Sequence, residues 1–418
     1  MGRFLAETCN FQNVLTYDMG GTSVDIGVIP ERKIATTSEK IIADQKLAIE
    51  TMDITSIGAG GGSIAWIDDL GLLRVGPSSA GAEPGPACYG KGGQNPTVTD
   101  ANVILGYIPA DFFLGGSISL DQSLAERVVE DHVAKPLRID TVEAAYSISS
   151  VVEANMSERI FLSIVEKGYD PRDFVLVVGG GAGPVHAMSL AATLGMKQAY
   201  IPKHAAVFSA FGGTVADFGY ILNRFFLRRD DELDLEQVKG IYDSLEGEAV
   251  EILARQGVSE ENMVLMRGAE MRYFGQLRDI NVIIGESKRG EPFTEGSLQA
   301  LVQTFHDRHR SLYGWGDPAL PSTIATLKMH AVGKRPLFAL AKQPSTTEDV
   351  SGAVKRERQV YFKGNGGFVA TPCYDGDRLS PGHVIKGPAI IEETKTTVVV
   401  PPGGRIEVDI YGNYVAEL

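Results

Sequence analysis

Residues 14–29 read VLTYDMGGTSVDIGVI, the most informative stretch of the chain. A strand-like run ends in Asp18. Gly20 and Gly21 then turn the chain into a second run, which alternates apolar and polar residues as half-buried strands do. A strand that ends in an acid and turns on paired glycines brings backbone N–H groups close to an anion. The acid then lies where a phosphate-bound magnesium ion would be. The stretch therefore predicts two adjacent strands joined by a phosphate-binding turn.

A simple hairpin is the competing interpretation, in which the glycine pair only supplies positive φ angles. A hairpin does not need Asp18 before the glycines or Thr22 and Ser23 after them, whereas these side chains suit a phosphate with its metal ion. We therefore favour phosphate binding. Asp18 would hold a metal-bound water or orient the attacking group, and the sequence does not separate these two roles.

A second glycine cluster lies far downstream, where residues 174–184 read FVLVVGGGAGP. The pattern predicts a buried strand over residues 174–178 and a helix over residues 184–194. A glycine-rich turn between them suits an adenosine site or a dinucleotide site. The dinucleotide site needs a glycine where Pro184 stands and an acid near Lys203, so we reject it. A turn without a ligand stays the alternative. Together, however, the two clusters predict half of a nucleotide-binding cleft.

Composition narrows the class of protein. The 418 residues carry a net charge of −14, which argues against a nucleic-acid or anionic-membrane surface. No apolar run is long enough to span a bilayer. The cysteines, Cys9, Cys88 and Cys373, are far apart and odd in number, so we expect no disulfide framework and a reducing cytoplasm.

Three of the seven histidines lie in helical patterns. His186 falls in the first turn of the helix after the second glycine cluster, where we expect a buried structural residue rather than a catalytic base. His306 and His309 share a helix face without a further metal ligand, so we expect a solvated, charged face. Other expected elements are a helix over residues 141–167 and a strand over residues 271–285.

These motifs resemble those of the hydantoinase A/5-oxoprolinase family, which includes the nucleotide-binding subunits of acetone and acetophenone carboxylases. Residues 17–23, YDMGGTS, look like the family's second phosphate motif, and residues 179–187, GGGAGPVHA, look like its adenosine region. The resemblance covers nearly the whole chain. Further similar segments follow in the family's order, namely residues 56–66, 79–90, 96–101, 167–172, 209–212, 272–276 and 387–393.

The resemblance implies an α/β fold. It consists of an actin-like, sugar-kinase-like ATPase lobe of the ribonuclease H-like type, then an α+β segment and a small, mostly β C-terminal domain. We expect these parts in residues 1–228, 229–335 and 336–418. In the family, ATP lies between two lobes that each carry a phosphate motif. Only the second motif occurs in this sequence, so we expect a fragment, a split gene product or a subunit completed by another chain.

The resemblance also implies ATP-dependent activation of a carbonyl, with ATP and Mg²⁺ as cofactors. The catalytic and metal-binding residue would be Asp18. The β- and γ-phosphates and Mg²⁺ are expected at Asp18, Gly20, Gly21, Thr22 and Ser23. The adenosine and α-phosphate are expected near the positive end of the following helix, at Gly179, Gly180, Gly181 and Gly183.

Three functions fit this resemblance. The first, which we favour, is part of an ATP-dependent enzyme that phosphorylates a cyclic amide carbonyl for hydrolysis. The second is a nucleotide-binding subunit of a ketone carboxylase, and the third is a non-catalytic scaffold lobe. The expected partners are a hydantoinase B-like subunit, a chain that supplies the N-terminal ATPase lobe, and a small-molecule substrate in the cytoplasm.

Overall fold

The computed structural model describes residues 1–37, 40–42, 45–47, 51–336 and 338–418. It divides into two compact units, Met1–Thr214 with Ala339–Leu418, and Val215–Phe338. The α-helices of the described part are α1 (Gly2–Thr8), α2 (Val98–Ile104), α3 (Gln122–Val129), α4 (Lys135–Leu137), α5 (Thr141–Val165), α6 (Gly183–Thr193), α7 (Phe208–Val215), α8 (Leu235–Arg255) and α9 (Glu295–Tyr313).

The strands of the described part belong mostly to three larger sheets. They are β1 (Val14–Met19), β2 (Val24–Ile29), β3 (Thr36–Thr37), β4 (Lys40–Ile42), β5 (Gln45–Leu47), β6 (Thr51–Met52), β7 (Ile54–Ile57), β8 (Ser63–Ile67), β9 (Leu73–Ser79), β10 (Val175–Gly179), β11 (Gln198–Ile201), β12 (Phe218–Arg229), β13 (Met263–Tyr273), β14 (Ile280–Ser287), β15 (Ser322–Gly333), β16 (Val354–Phe362), β17 (Gly367–Asp375), β18 (Val384–Lys386), β19 (Ala389–Glu393), β20 (Thr396–Val400), β21 (Arg405–Val408) and β22 (Tyr414–Glu417).

The first unit is built on an eight-stranded mixed sheet of order β18-β21-β22-β11-β10-β1-β2-β7. Strand β1 lies between β10, which is parallel to it, and β2, which is antiparallel. Because parallel strands end at the same edge of a sheet, the carboxyl ends of β1 and β10 meet. The register places Asp18 beside Gly179, so the two glycine clusters of the sequence lie at one edge.

Strand β1 is buried on both faces, which explains its apolar character. Leu15 and Tyr17 pack on one face in the core that also contains residues of α2, α5 and α6. Val14 packs on the other face with Val177 of β10 and with residues of α1. The helices thus cover both faces of the strand that carries Asp18, and only Thr16 and Asp18 of this strand are partly exposed.

The second unit is an antiparallel sheet of order β12-β15-β13-β14 with the helices α8 and α9. One core joins apolar residues of both helices and all four strands. Within the described part of the chain, neither unit contains a helix with the length and hydrophobicity that a bilayer crossing requires.

The local predictions agree with the structure where the sequence pattern was long and regular. The helix expected over residues 141–167 is α5, and the elements around the second glycine cluster are β10 and α6. The single strand expected over residues 271–285 is wrong, because β13 ends at Tyr273 and β14 begins at Ile280.

The prediction of a solvated face for His306 and His309 is also wrong. Both residues lie in the core of the second unit, with exposures of 2% and 0%. His306 Nδ1 shares a hydrogen bond of 2.7 Å with the Tyr273 hydroxyl, and His309 Nδ1 lies 2.7 Å from the Trp315 carbonyl oxygen. Burial lowers the pKa of His306.

The sequence predicts boundaries after residues 228 and 335, whereas the compact units divide after residues 214 and 338. Strand β12 begins at Phe218 and pairs along most of its length with β15 of the second unit. Strands β18, β21 and β22 join the large sheet through the pairing of β22 with β11. Strand pairing between distant segments therefore sets both boundaries.

A buried ion pair provides a test of the second unit. Glu246 Oε2 lies 3.3 Å from Arg267 Nη2, and the two residues are 8% and 3% exposed. We predict that Glu246→Ala lowers the free energy of unfolding by about 3–5 kcal/mol, because it leaves a buried guanidinium without its counter-charge. Urea denaturation of the full chain measures the change.

The matched control is Glu251→Ala on the same helix. Glu251 forms an exposed i, i+4 pair with Arg255. Its loss should cost about 0.5 kcal/mol or less, because exposed pairs are screened by water. Equal effects of the two substitutions would contradict the prediction.

Candidate functional site

Asp18 lies at the partly exposed carboxyl end of β1. Its neighbours in the sheet are Gly179 on β10 and Asp25 on β2. The Ser209 hydroxyl, near the start of α7, donates a hydrogen bond to Asp18 Oδ2. Burial raises the pKa of Asp18, and the negative charge of Asp25 raises it further, while the hydrogen bond from Ser209 opposes this shift. The carboxylate is thus held in one orientation beside a second acid.

The first glycine turn, residues 20–23, follows Asp18 immediately. The Gly20 amide donates to the Ser23 carbonyl oxygen at 3.0 Å, which closes the turn. Gly21 and Thr22 are exposed, and their amides have no hydrogen-bond partner in the described part of the chain. Two adjacent free N–H groups next to a carboxylate can bind an anion together with its counter-cation.

A glycine loop, residues 58–63, packs directly against the first glycine turn. The Gly61 amide donates to the Gly20 carbonyl oxygen at 3.0 Å, and the Gly62 amide donates to the Gly21 carbonyl oxygen at 2.6 Å. These main-chain bonds fix the carbonyl side of the turn, so its amide side is left for a ligand.

The glycine loop can approach this closely because it lacks side chains. A Cβ atom on Gly60 would lie 2.7 Å from main-chain atoms of Gly21 and Thr22. Helix α2 holds the loop from behind, since the amide and the hydroxyl of Thr99 both donate to the Gly61 carbonyl oxygen at 2.8 Å. Glycine is therefore required here for a close approach of backbone to backbone.

The second glycine turn, residues 179–183, meets β1 from the other side. The Ala182 amide donates to the Met19 carbonyl oxygen at 3.1 Å. Gly180 has a φ of +81°, and a Cβ atom on it would lie 2.0 Å from that same oxygen. Both the conformation and the contact need glycine at this position.

The other glycines of the second glycine turn have different surroundings. Gly181 is exposed. Gly179 and Gly183 are buried, and Cβ atoms on them would lie 2.7 Å from the Phe208 ring and 3.2 Å from Val178. These two glycines therefore permit close packing of α7 and α6 against β10, and Gly181 is the one that faces solvent.

A cavity of about 240 Å³ lies beside the second glycine turn, between residues 203–207 and residues 393–396. Lys203, His204 and Lys395 give it basic groups, and Asp377 and the buried Glu393 are its acids. Burial raises the pKa of Glu393 to about 7, although the Tyr414 hydroxyl donates a hydrogen bond to it.

Both walls of this cavity are attached to the second glycine turn. The Gly180 amide donates to the Ala205 carbonyl oxygen at 2.8 Å on one side. The Thr396 hydroxyl donates to the Gly181 carbonyl oxygen at 2.8 Å on the other side. These two bonds connect the second glycine turn to the segments that line the cavity.

The structure brings the sequence-predicted residues to one edge of the sheet. Asp18 and the first glycine turn lie next to the second glycine turn, joined by the strand register and by the Ala182–Met19 bond. The sequence did not assign two further parts, the glycine loop and Ser209. The run GAGGGS at residues 58–63 was the signal for the loop, and only the tertiary structure brings Ser209 to Asp18.

The carboxylates at this site fit a magnesium ion whose coordination shell consists mainly of phosphate oxygens and water rather than protein side chains. In the described residues no group of three or more His, Cys, Asp and Glu side chains is arranged to hold a metal. Mg²⁺ commonly takes one or two protein carboxylates and completes its shell with phosphate oxygens and water. Asp18 beside the first glycine turn suits that arrangement.

Comparison with known proteins gives two matches to family models. The hydantoinase/oxoprolinase model matches residues 2–221, and the model of the hydantoinase/oxoprolinase C-terminal domain matches residues 228–412. The caprolactamase subunit alpha of Pseudomonas jessenii is 36% identical over 416 residues, which are 99% of this chain and 59% of that protein.

Two solved structures are similar to the whole chain. Nucleotide-free acetone carboxylase superposes with a TM-score of 0.83 at 28% identity, over 99% of this chain and 59% of that one. The ATP-dependent caprolactamase from Pseudomonas jessenii superposes with a TM-score of 0.80 at 34% identity, over 100% of this chain and 60% of that one. The chain thus spans about three fifths of these relatives. Its matches over both family models establish that the chain belongs to the hydantoinase/oxoprolinase family.

Proposed function

We propose that this chain binds ATP at the first glycine turn and acts in an ATP-dependent enzyme that phosphorylates a cyclic amide for hydrolysis. The observation that carries the proposal is the pair of free amides on Gly21 and Thr22 beside the carboxylate of Asp18. Family membership supports it, because one relative is an ATP-dependent caprolactamase. The large sheet with its helices would be one lobe of an actin-like, sugar-kinase-like ATPase fold.

Each part of the site has a role in this proposal. The amides of Gly21 and Thr22 donate to the β- and γ-phosphates, and the hydroxyls of Thr22 and Ser23 add further donors. Asp18, which Ser209 orients, would hold the water shell of Mg²⁺ or orient the attacking group. When bound, Mg²⁺ neutralises phosphate charge during transfer.

The nucleoside end of ATP would occupy the second glycine turn and the cavity beside it. Gly181 allows close approach, while Gly179, Gly180 and Gly183 shape the turn. The cavity has a volume of about 240 Å³, which is enough for several water molecules. This volume is suitable for a base and part of a ribose.

The proposed chemistry makes a poor electrophile reactive. The amide oxygen attacks the γ-phosphorus, and the bond from that phosphorus to ADP breaks. Water then adds to the activated carbon, and the ring C–N bond breaks, so the ring nitrogen leaves as a protonated amine and the carbon becomes an acyl phosphate. A second water hydrolyses the acyl phosphate to a carboxylate and inorganic phosphate. We propose that a hydantoinase B-like subunit carries the hydrolytic step and that an N-terminal ATPase lobe completes the nucleotide cleft. The unpaired Cys9, Cys88 and Cys373 suit a reducing cytoplasm.

Ketone carboxylation is the second candidate, because the acetone carboxylase structure superposes with a TM-score of 0.83. Phosphorylation of an enol oxygen would use the same phosphate turn. Attack of water on the phosphorus would then release inorganic phosphate and an enolate, and the enolate carbon would attack carbon dioxide formed by dehydration of bicarbonate. The two candidates differ in the substrate that must stimulate ATP turnover.

The first test is purification of the chain from its own source, followed by native mass and ATP-turnover measurements. We expect a complex with further subunits, whose ATP turnover rises on addition of caprolactam, 5-oxoproline or hydantoin. Stimulation only by acetone or acetophenone with bicarbonate would support the carboxylase instead. If the chain purifies without other subunits and binds no Mg-ATP, only the role of a non-catalytic scaffold remains.

The second test is Asp18→Asn, which removes the charge at the end of β1 and keeps its size. We predict that it weakens Mg-ATP binding by roughly 10- to 100-fold, as loss of a group that orients a metal's ligands does. Calorimetric titration with Mg-ATP measures the effect. Unchanged affinity and unchanged turnover of the complex would rule out the catalytic role of Asp18.

Asp25→Asn is the matched control, because Asp25 is exposed and opposite Asp18 on β2. It should keep Mg-ATP affinity at neutral pH. Because binding needs ionised Asp18, wild-type affinity should fall as the pH falls through the raised pKa of Asp18. Removal of the Asp25 charge lowers that pKa, so the loss in Asp25→Asn should begin at a lower pH.

The third test is Gly60→Ala, which forces the glycine loop away from the first glycine turn. We predict that it weakens Mg-ATP binding by roughly 10- to 100-fold, because small displacements of binding groups have large effects. Gly213→Ala is its control, since nothing lies within 4 Å of a Cβ atom there. Equal affinities of the two variants would refute the role of the loop.

A further inference from the structure

Three polar side chains meet where α2, α5 and α6 pack together. His186 on α6 is fully buried, and its Nδ1 atom lies 2.8 Å from Oε1 of Glu153 on α5. Its Nε2 atom lies 3.2 Å from Nδ2 of Asn102 on α2, which is 1% exposed. Buried polar groups cost free energy unless they are hydrogen-bonded, so a core that only needed to be filled would be apolar here.

The two hydrogen-bond partners of His186 indicate its tautomer. The carboxylate of Glu153 can only accept, so Nδ1 carries the hydrogen and donates it. The amide nitrogen of Asn102 can only donate, so Nε2 is the acceptor. Both ring nitrogens are occupied, and full burial keeps the imidazole from any ligand. This arrangement excludes proton transfer to a substrate and leaves a role in orientation.

The Asn102–His186 bond joins two helices that hold opposite sides of the candidate site. Helix α2 carries Thr99, which binds the Gly61 carbonyl oxygen and so holds the glycine loop. Helix α6 begins at Gly183, which is also the last residue of the second glycine turn. The glycine loop and the second glycine turn in turn contact the end of β1 from two sides.

We propose that His186 is a positioning residue that sets the distance between the glycine loop and the second glycine turn, through its bond to Asn102. The bond to Glu153 keeps the imidazole in the tautomer that accepts from Asn102. This inference rests on the proposed nucleotide site, because the consequence of the fixed distance is the affinity for Mg-ATP.

Two substitutions of His186 separate its two bonds. In His186→Gln the amide oxygen reaches the place of Nε2 and accepts from Asn102, so the link to α2 is kept. In His186→Asn the amide nitrogen takes the place of Nδ1 and donates to Glu153, so the link to α2 is lost. We expect the two variants to have similarly lower melting temperatures than the wild type. Mg-ATP affinity should stay near wild type in the Gln variant and fall roughly 10-fold or more in the Asn variant.

Asn102→Ala removes the same link from the side of α2 and decides the question if His186→Asn does not fold. Ser189→Ala is the matched control, because Ser189 donates to the other oxygen of Glu153 at 2.6 Å from the exposed side of α6. We expect Asn102→Ala to repeat the loss of affinity and Ser189→Ala to leave affinity unchanged.

Hydrogen exchange of the unliganded chain gives a readout without nucleotide. In Asn102→Ala the amides of Gly61, Gly62 and Ala182 should exchange faster, while those of β11 keep their protection. Loss of melting temperature without a change in Mg-ATP affinity or in this exchange would overturn the inference. A wild-type chain that binds no Mg-ATP would instead contradict the proposed function, and the exchange of these amides would still decide the positioning.

Discussion

The main chain of the glycine loop and that of the second glycine turn contact the end of β1 from two sides. The candidate site of the first unit depends on this close approach of backbone to backbone. The Gly61 and Gly62 amides donate to the first glycine turn, and the Ala182 amide donates to the Met19 carbonyl oxygen. Each contact brings backbone within hydrogen-bond distance of backbone, which leaves no room for a Cβ atom at Gly60 or Gly180. The carbonyl oxygens are thereby satisfied inside the protein, while the amides of the exposed Gly21 and Thr22 have no acceptor among the residues that the structure describes.

The local electrostatics of this site differ from those of the whole chain. A net charge of −14 would disfavour a polyphosphate at an average point on the surface. The first glycine turn offers free N–H groups instead, and the carboxylate of Asp18 is suited to the cation that accompanies the phosphates. Partial burial and the charge of Asp25 raise the pKa of Asp18, while Ser209 stabilises its ionised form. A small anion with its metal is therefore a better fit than an extended anionic surface.

A phosphate site of this kind does not select one reaction. An amide oxygen and an enol oxygen can be phosphorylated by the same phosphate-binding groups. The two reactions differ in the groups that must bind the substrate. The relatives include an ATP-dependent caprolactamase and an acetone carboxylase, so the carbonyl activation that we propose leaves the substrate open. The rigid sheet and the helices α2, α5 and α6 hold the glycine segments, which is how a precise site can be built on loops.

The sequence alone determined the elements whose signals are local. Residue types close together in the sequence predict these elements. They are the acid-glycine turn after β1, the strand and helix around the second glycine cluster, and the long helix α5. Tertiary structure decided what depends on distant segments. Ser209 reaches Asp18 across 191 residues, and the glycine loop reaches the first glycine turn through main-chain bonds. His309 is buried although its helical spacing alone indicated an exposed face. The physical reason is that periodicity gives the shape of a segment, whereas burial and contact depend on which other segments cover it.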